Sequence, residues 1–471
     1  MKIEQIYTGC LAQGAYFIES EGEAVVVDPL REVQPYIDRA IKAGVKIKYV
    51  LETHFHADFV SGHLDLAAKT GASIVYGPTA APNFNAHIAT DGEILEVGKI
   101  KIKVLHTPGH TMESSSYLLY DENGKETALF SGDTLFIGDV GRPDLAQKAA
   151  NMTQEGLAAL LYDSLRTKIV PLNDDVIVYP AHGAGSACGK NMSKETTDTL
   201  GNQKKTNYAL RANMTKEEFV KEVTHGLMPP PAYFPLNVEM NKQGYDSIDE
   251  ILDRSLQALS PNAFEAAANE TGALILDTRD PEVFGAGFIP NAINIGITGD
   301  FAPWVGAMIP DIKQQILLVT DVDREEEAVI RLARVGYDHA IGFLKGGFES
   351  WKTGGKEINQ IQSIDPSEMA ELASKEDLQI LDVRKASEFG SEHVLGAENG
   401  PLDYINDSML LIDKQKKYLV HCAGGYRSMI FISVLKARGY DNLINVNGGF
   451  SRIKNEAEMP ISDYVCPTTL L

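Results

Sequence analysis

Along the first half of the chain, short apolar runs end at once in a histidine or an aspartate. Residues 48–52 lead into Thr53-His54-Phe55-His56-Ala57-Asp58-Phe59, and residues 99–105 into His106-Thr-Pro-Gly-His110. Residues 127–130 lead into Ser131-Gly-Asp133, and residues 175–179 into Pro180-Ala-His182. Runs this short, bounded by polar and turn residues, predict buried strands. Further strands are predicted over 3–7, 15–18 and 24–27, the last ending at Asp28-Pro29. The spacing predicts helices over 35–43, stopping at Gly44, and over 62–69, stopping before Thr70-Gly71. One strand with a polar ending is unremarkable. Four in order imply strand ends that meet at a shared polar site.

The first of these endings is the densest. His54, His56 and Asp58 fall within five residues, with His63 close by, on a strand-to-helix loop where side chains can converge on an ion. A single histidine there would read as a helix cap; an HxHxD set at the mouth of a strand does not.

After residue 190 the pattern changes. Thr215 and Glu218 form a capping-box signal for a helix running to about His225 and stopping at Gly226. Pro229-Pro-Pro-Ala-Tyr-Phe-Pro235 then predicts a stiff extended arm whose aromatics pack on the body. Beyond it one pattern occurs twice. Leu276-Asp-Thr-Arg279 matches Leu381-Asp-Val-Arg384, Leu318-Val-Thr-Asp321 matches Leu419-Val-His-Cys422, and Gly346-Gly-Phe348 matches Gly448-Gly-Phe450. Phe288-Ile-Pro-Asn-Ala292 likewise matches His393-Val-Leu-Gly-Ala397. Strands alternate with helices in each copy, as in α/β units on a parallel sheet. The expected domains are 1–245, 246–358 and 359–471.

The second copy holds the chemistry. A strand over 418–421 runs into Cys422-Ala423-Gly424-Gly425-Tyr426-Arg427-Ser428 and then a helix over 429–438. Backbone N–H groups and the helix dipole would favour the Cys422 thiolate, and Arg427 returns a cation to the same cradle. In the first copy the aligned residue is Asp321, in an acidic loop with neither thiol nor glycine.

Composition narrows the classes. A chain of 471 residues predicts two to four domains, and 44% hydrophobic with 23% charged residues is ordinary for a globular protein. A net charge of −22 with no basic stripe excludes nucleic acid and anionic membrane as partners. There is no apolar run of bilayer-spanning length, and Met1-Lys-Ile-Glu-Gln reads as a strand start rather than a signal peptide. The four cysteines, Cys10, Cys188, Cys422 and Cys466, form no close pairs, which fits a reducing cytoplasm and argues against a disulfide framework or a CxxC zinc site.

THxHxD, TPGHT, SGDTL and YPAH, in this order, resemble the metallo-β-lactamase fold, an αββα sandwich with its metal at the sheet ends. Dinuclear members such as glyoxalase II carry HxHxDH, whereas Phe59 stands at the last position here. The sequence is then most similar to the persulfide dioxygenases. The resemblance implies one Fe(II) per chain on His54, His110 and Asp133, a face suited to non-haem iron, with His56, Asp58 and His182 orienting the ligands. His63 becomes helical packing and His106 a strand-end residue. Arg142 corresponds to the arginine that binds the carboxylate end of glutathione persulfide, although an arginine in a Gly-rich turn is an equal reading. Ala184 replaces a tyrosine of the glutathione-specific members, which leaves coenzyme A or another small thiol open. Residues 181–190 look like the loop of members fused to sulfurtransferases. Cys188 there is either a thiol at the site entrance or an inert, partly buried one.

LDVRxxxEF, HxxGA, CxxGxRS and NxxGGF resemble the rhodanese sulfurtransferases across residues 359–471. The resemblance implies that Cys422 carries sulfane sulfur while Ala423, Gly424, Gly425, Tyr426 and Arg427 bind the oxyanion. Phosphatases of this fold place five residues between Cys and Arg; here there are four. The first copy then reads as an inactive, pseudo-rhodanese domain. The expected folds are an αββα sandwich and two three-layer α/β/α domains. Together they resemble the bacterial persulfide dioxygenase–sulfurtransferase fusions. Such a protein would use a low-molecular-weight persulfide, O₂, and sulfite and thiosulfate, as a cytoplasmic homo-oligomer. The alternatives are a dinuclear zinc thioester hydrolase fused to a sulfurtransferase, and a persulfide sensor using Cys422 and Cys188. The absence of a basic DNA-binding segment disfavours the sensor.

Overall fold

A computed structural model describes residues 1–375 and 378–466. It divides into two compact units, the first comprising Met1–Glu250 and Leu332–Gly336, the second the rest.

Two six-stranded sheets form the first unit. One runs β1 (Lys2–Thr8), β2 (Gln13–Ser20), β3 (Glu23–Val27), β4 (Lys46–Leu51), β5 (Ser73–Tyr76), β6 (His87–Ile88). The other contains β7 (Ile94–Val97), β8 (Ile100–His106), β9 (Ser115–Tyr120), β10 (Glu126–Gly132), β11 (Ile177–Pro180) and β12 (Asp198–Thr199), in reverse spatial order. Strand alternation explains the layering. Tyr16, Ile18, Val25 and Val27 of the first sheet meet Tyr117, Leu119, Ala128 and Phe130 of the second in one buried cluster. Their neighbours Ala15, Phe17, Ala24 and Val26 face the other way, under Tyr36 and Ala40 of helix Gln34–Ala43 and Leu66 of helix His63–Thr70. Leu118 and Leu129 face Leu161 and Phe219, on helices Gln154–Ser164 and Lys216–Thr224. This is the expected αββα sandwich. The 216–224 helix opens on the full Thr215–Glu218 capping box.

The proline run is shorter in effect than expected. The chain is helical again from Phe234 to Gln243, with Pro235 in the first turn and Tyr233 and Phe234 buried.

The second unit holds two parallel sheets of identical order. The first is β13 (Ala258–Leu259), β17 (Ala340–Leu344), β16 (Ile316–Val319), β14 (Leu274–Asp277), β15 (Ile293–Asn294). The second is β18 (Ser363–Ile364), β22 (Leu443–Val446), β21 (Tyr418–His421), β19 (Gln379–Asp382), β20 (Glu398–Asn399). The repeated motifs have one structural cause. Asp277 and Asp382 each hold an arginine two residues on, Arg279 and Arg384, at 2.6 Å. Those guanidinium groups lie 4.2 Å over the Phe348 ring and 4.0 Å over the Phe450 ring, the aromatic of each Gly-Gly-Phe.

Register corrects one alignment. Asp382 pairs with His421, and Asp277 pairs with Val319. Thr278 N–H donates to the Val319 carbonyl as Val383 N–H does to that of His421. The counterpart of Cys422 is therefore Thr320, not Asp321. Apolar Leu-Val pairs occur in both strands, so sequence alignment alone falls one residue out of step, and only pairing with the neighbouring strand fixes which residue comes last.

Candidate metal centre and sulfur-transfer loop

The polar endings of β3, β4, β10 and β11, with the loop between β8 and β9, come together at one end of the sandwich. His54, His110 and Asp133 each offer a ligand atom, all within 4.8 Å of one another and all buried. The Nε2 atoms of His54 and His110 lie 3.8 and 3.4 Å from Asp133 Oδ2. Gly132, with φ +54°, lets β10 end against Thr53, where a Cβ would sit 2.7 Å from the threonine side chain.

Partners on the far side of each ring fix its orientation. His54 Nδ1 is 3.0 Å from Thr53 Oγ1, and Asp28 accepts from Thr53 N–H and Oγ1 at 2.8 and 2.9 Å. His110 Nδ1 is 2.9 Å from the Arg142 carbonyl oxygen, which can only accept. Both rings therefore present Nε2 to the site, the tautomer a metal requires. His110 Nε2 and both Asp133 oxygens are buried without a hydrogen-bond partner. Leaving such atoms unpaired is costly, so this donor set fits a cation.

A second set lies alongside. His56, Asp58 and His182 also converge within 4.8 Å. His182 Nε2 is 3.4 Å from Asp58 and 3.7 Å from Asp133, while His56 Nε2 turns to Asp28 at 3.1 Å. Burial lowers the proton affinity of His182, but the Asp58 and Asp133 carboxylates outweigh it and push the ring up to about 10. Burial, with neighbouring His56, His110 and His182, holds His54 well below the ordinary imidazole range. Phe59 is fully buried beside this set. Its ring centroid is 4.3 Å from that of His56 and 6.5 Å from that of His182.

Other positions fall as follows. His63 packs on the Phe84 and Tyr245 rings, and His106 Nε2 meets the Met112 carbonyl, both outside the cluster. Arg142 is 5% exposed, and its guanidinium is engaged by Asp144 and by the Ala187 and Met228 carbonyls. It touches the site through its main chain, not as the free fork expected for a carboxylate. Cys188 is buried within 4.8 Å of ligand atoms on Asp133 and His182. Burial and the Asp58 and Asp133 charges push its thiol well above the usual range, so it is held protonated. Asn241, on the helix after the prolines, donates to the His56 and Phe59 carbonyls at 2.8 Å and accepts from Ser61 N–H at 2.9 Å. Motif reading missed it, because a lone asparagine 180 residues from the loop gives no signal.

In the second unit Cys422 is 1% exposed at the end of β21, and Gly425 N–H donates to its Sγ at 3.1 Å. The Phe450 and Ser451 amides hold the Cys422 and Ala423 carbonyls, which fixes the start of the loop. Gly424 has open space around its Cα, leaving the loop crown clear for a ligand. The Tyr426 side chain leaves the cradle and reaches Gly296. Arg427 was expected to point its cation at the anion; its fork is held by Glu388 at 2.6 and 2.9 Å. Thr320, at the matching place in the first copy, is 2% exposed beside a cavity of about 410 Å³, and a hydroxyl there cannot carry sulfane sulfur.

The Arg427–Glu388 pair makes a prediction. Burial raises the Glu388 carboxyl, but the Arg427 hydrogen bond and charge outweigh it and hold the group below 4.5. The unfolded chain then takes up the proton first. The pair's contribution, at most about 1 kcal/mol for a side chain one-third exposed, is present above about pH 4.5 and fades as pH falls through the lower folded value. Glu388→Gln should flatten the fall in thermal midpoint between pH 5 and pH 3; an unchanged slope refutes the assignment.

The metallo-beta-lactamase superfamily profile matches residues 8–182, and the rhodanese-like domain matches 260–353 and 365–456. Over 213 residues the chain is 31% identical to the hydroxyacylglutathione hydrolase GloC of Haemophilus influenzae, covering 40% of this chain and 94% of that protein. Over 221 residues it is 30% identical to human mitochondrial persulfide dioxygenase ETHE1, covering 46% and 78%. A crystal structure of a metallo-beta-lactamase from Staphylococcus aureus subsp. aureus COL superposes with TM-score 0.64 at 32% identity, covering 73% of this chain and 99% of that one. The chain belongs to the metallo-beta-lactamase superfamily, with two rhodanese-like domains following the sandwich. Hydrolase and dioxygenase relatives match at near-equal identity, so the reaction has to be argued from the site. Among the described residues no helix is long and apolar enough to cross a membrane.

Proposed function

We propose that the chain oxidises a low-molecular-weight persulfide with O₂ at a single non-haem iron, and passes sulfane sulfur through Cys422 to give thiosulfate. The modules would be 1–245, an inactive copy at 246–358, and a sulfur-transferring copy at 359–471. The observation that carries this reading is Phe59. Where dinuclear relatives need a ligand for a second ion, a buried phenyl ring lies against His56 and beside His182.

His54, His110 and Asp133 would hold the metal. Bound Fe(II) would supply the redox chemistry with O₂ that zinc lacks. The overall change balances as RSSH + O₂ + H₂O giving RSH, sulfite and two protons. The protein's share is positioning. Thr53 and the Arg142 carbonyl aim the two Nε2 atoms, and His182, between Asp58 and Asp133, orients the carboxylate ligand. The buried rings of Phe59 and Phe136 keep water from this side of the site. In the second step the Cys422 thiolate attacks the outer sulfur of a second persulfide. The S–S bond breaks, RSH leaves, and Cys422 holds a persulfide. Sulfite then attacks the outer sulfur, a new S–S bond forms in thiosulfate, and the Cys422 thiolate returns.

A hydrolase with two zinc ions is the second reading, favoured by the convergence of His56, Asp58 and His182. Phe59→His separates the two. On the dioxygenase reading it gives a second ion a ligand, raising metal content from one ion per chain to two and lowering O₂ uptake with glutathione or coenzyme A persulfide at least tenfold. Two ions already present in the wild type, with thioester hydrolysis and no O₂ uptake, would establish the hydrolase instead.

A further inference from the structure

The copy without a thiol contains a seat for a side chain of the copy that has one. Tyr426 extends from the Cys422 loop to the turn after β15, where its hydroxyl donates to the Gly296 carbonyl at 2.7 Å. A Cβ on Gly299 would lie 2.4 and 2.5 Å from Cε2 and Cζ of this ring, and one on Gly296 would lie 3.1 Å from Cε2. Neither glycine has a left-handed φ. Their backbones therefore accept any residue; at Gly299 the three nearest atoms all belong to the tyrosine ring, while at Gly296 the ring comes first and the Arg279 carbonyl follows at 3.3 Å. The helix that Tyr426 opens, Tyr426–Ala437, is fastened again further along. Asn294 N–H, on the edge strand β15, donates to Ser433 Oγ at 2.9 Å, and a Cβ on Gly285 would sit 3.0 Å from Met429 Cε.

What this fastening controls is the residue before Tyr426. Gly425 is left-handed, with φ +99°, and aims its N–H at Cys422 Sγ from 3.1 Å. A loop of four residues between Cys and Arg has little slack, so the place of the Tyr426 ring fixes the peptide that carries this N–H. Such a donor favours the anionic form of the sulfur it faces. We propose that the thiol-free copy acts as a scaffold for the active loop, with Tyr426, seated on Gly296 and Gly299, the positioning residue that keeps the Gly425 N–H on Cys422. The inference deepens the role given above to Cys422 and rests on it only for the sulfur-transfer readout.

The test uses the full-length chain and two measurements. The first is the rate of Cys422 alkylation by iodoacetamide across pH, followed by mass spectrometry, which needs no sulfur transfer. Gly299→Ala should move the profile to higher pH and slow alkylation at pH 7 about tenfold, and Tyr426→Phe, which removes one hydrogen bond, about threefold. In a Tyr426→Ala background Gly299→Ala should add nothing, because the ring it strikes is gone. The second is transfer from thiosulfate to cyanide, in which the variants should lower kcat more than they raise KM. Superimposed alkylation profiles for wild type, Gly299→Ala and Tyr426→Phe overturn the proposal, as does additivity in the double variant. A shifted profile in a protein whose wild type transfers no sulfur would leave the seat standing and refute the reading of Cys422 instead.

Discussion

Cys422→Ser is expected to leave O₂ uptake unchanged and to switch the sulfur product from thiosulfate to sulfite. The substitution keeps a hydroxyl of nearly the same size against the Gly425 N–H, so the loop should hold its shape. A serine oxygen does not accept sulfane sulfur, and the partner copy offers only Thr320 at the same place. Transfer should fall at least a thousandfold while the metal centre, which uses none of these residues, continues to make sulfite. Thiosulfate still formed at the wild-type rate would remove Cys422 from the reaction. Chromatography of the sulfur oxyanions, run beside an oxygen electrode, reads both halves at once.

Asp133→Ala is expected to do the opposite. Among the described residues Asp133 is the carboxylate paired with both His54 and His110, and both its oxygens are buried without a hydrogen-bond partner. Alanine leaves two imidazoles and no anion to offset a dication, so purified protein should contain less than a tenth of an iron per chain. O₂ uptake should fall at least about a hundredfold, beyond the range typical for removing an orienting group. Transfer from thiosulfate to cyanide through Cys422 should persist. Full iron occupancy in this variant would refute the ligand assignment.

The sandwich and the convergence of His54, His110, Asp133 and His182 could be read from the sequence because each lies within four residues of a strand end. Strand ends in a sheet are neighbours by construction, so spacing along the chain carries over into space. The repeat was legible for a similar reason, since an Asp–Arg pair two residues apart and a Gly-Gly-Phe turn are local devices. What could not be read depends on distant partners. Nothing in the motif around Arg142 says that its guanidinium is spent on Asp144 and two carbonyls, or that its own carbonyl sets His110. Asn241 and Tyr426 act across long stretches of sequence. The placement of Thr320 needed the register between β14 and β16, which a run of apolar residues leaves open by one.

The contact of Phe59 with His56 shows one way in which two relatives of similar sequence part in chemistry. The rest of the donor set, including His56, Asp58 and His182, is in place for a second ion. On the proposed reading, one apolar ring at the pivotal position leaves those groups as supports for the first.

Metal content is the most direct test of a single-iron centre. Protein purified without oxygen and analysed by elemental mass spectrometry should hold one iron per chain and lose O₂ uptake in proportion to iron removed by a chelator. Two zinc ions per chain, or full O₂ uptake in iron-free protein, would contradict it.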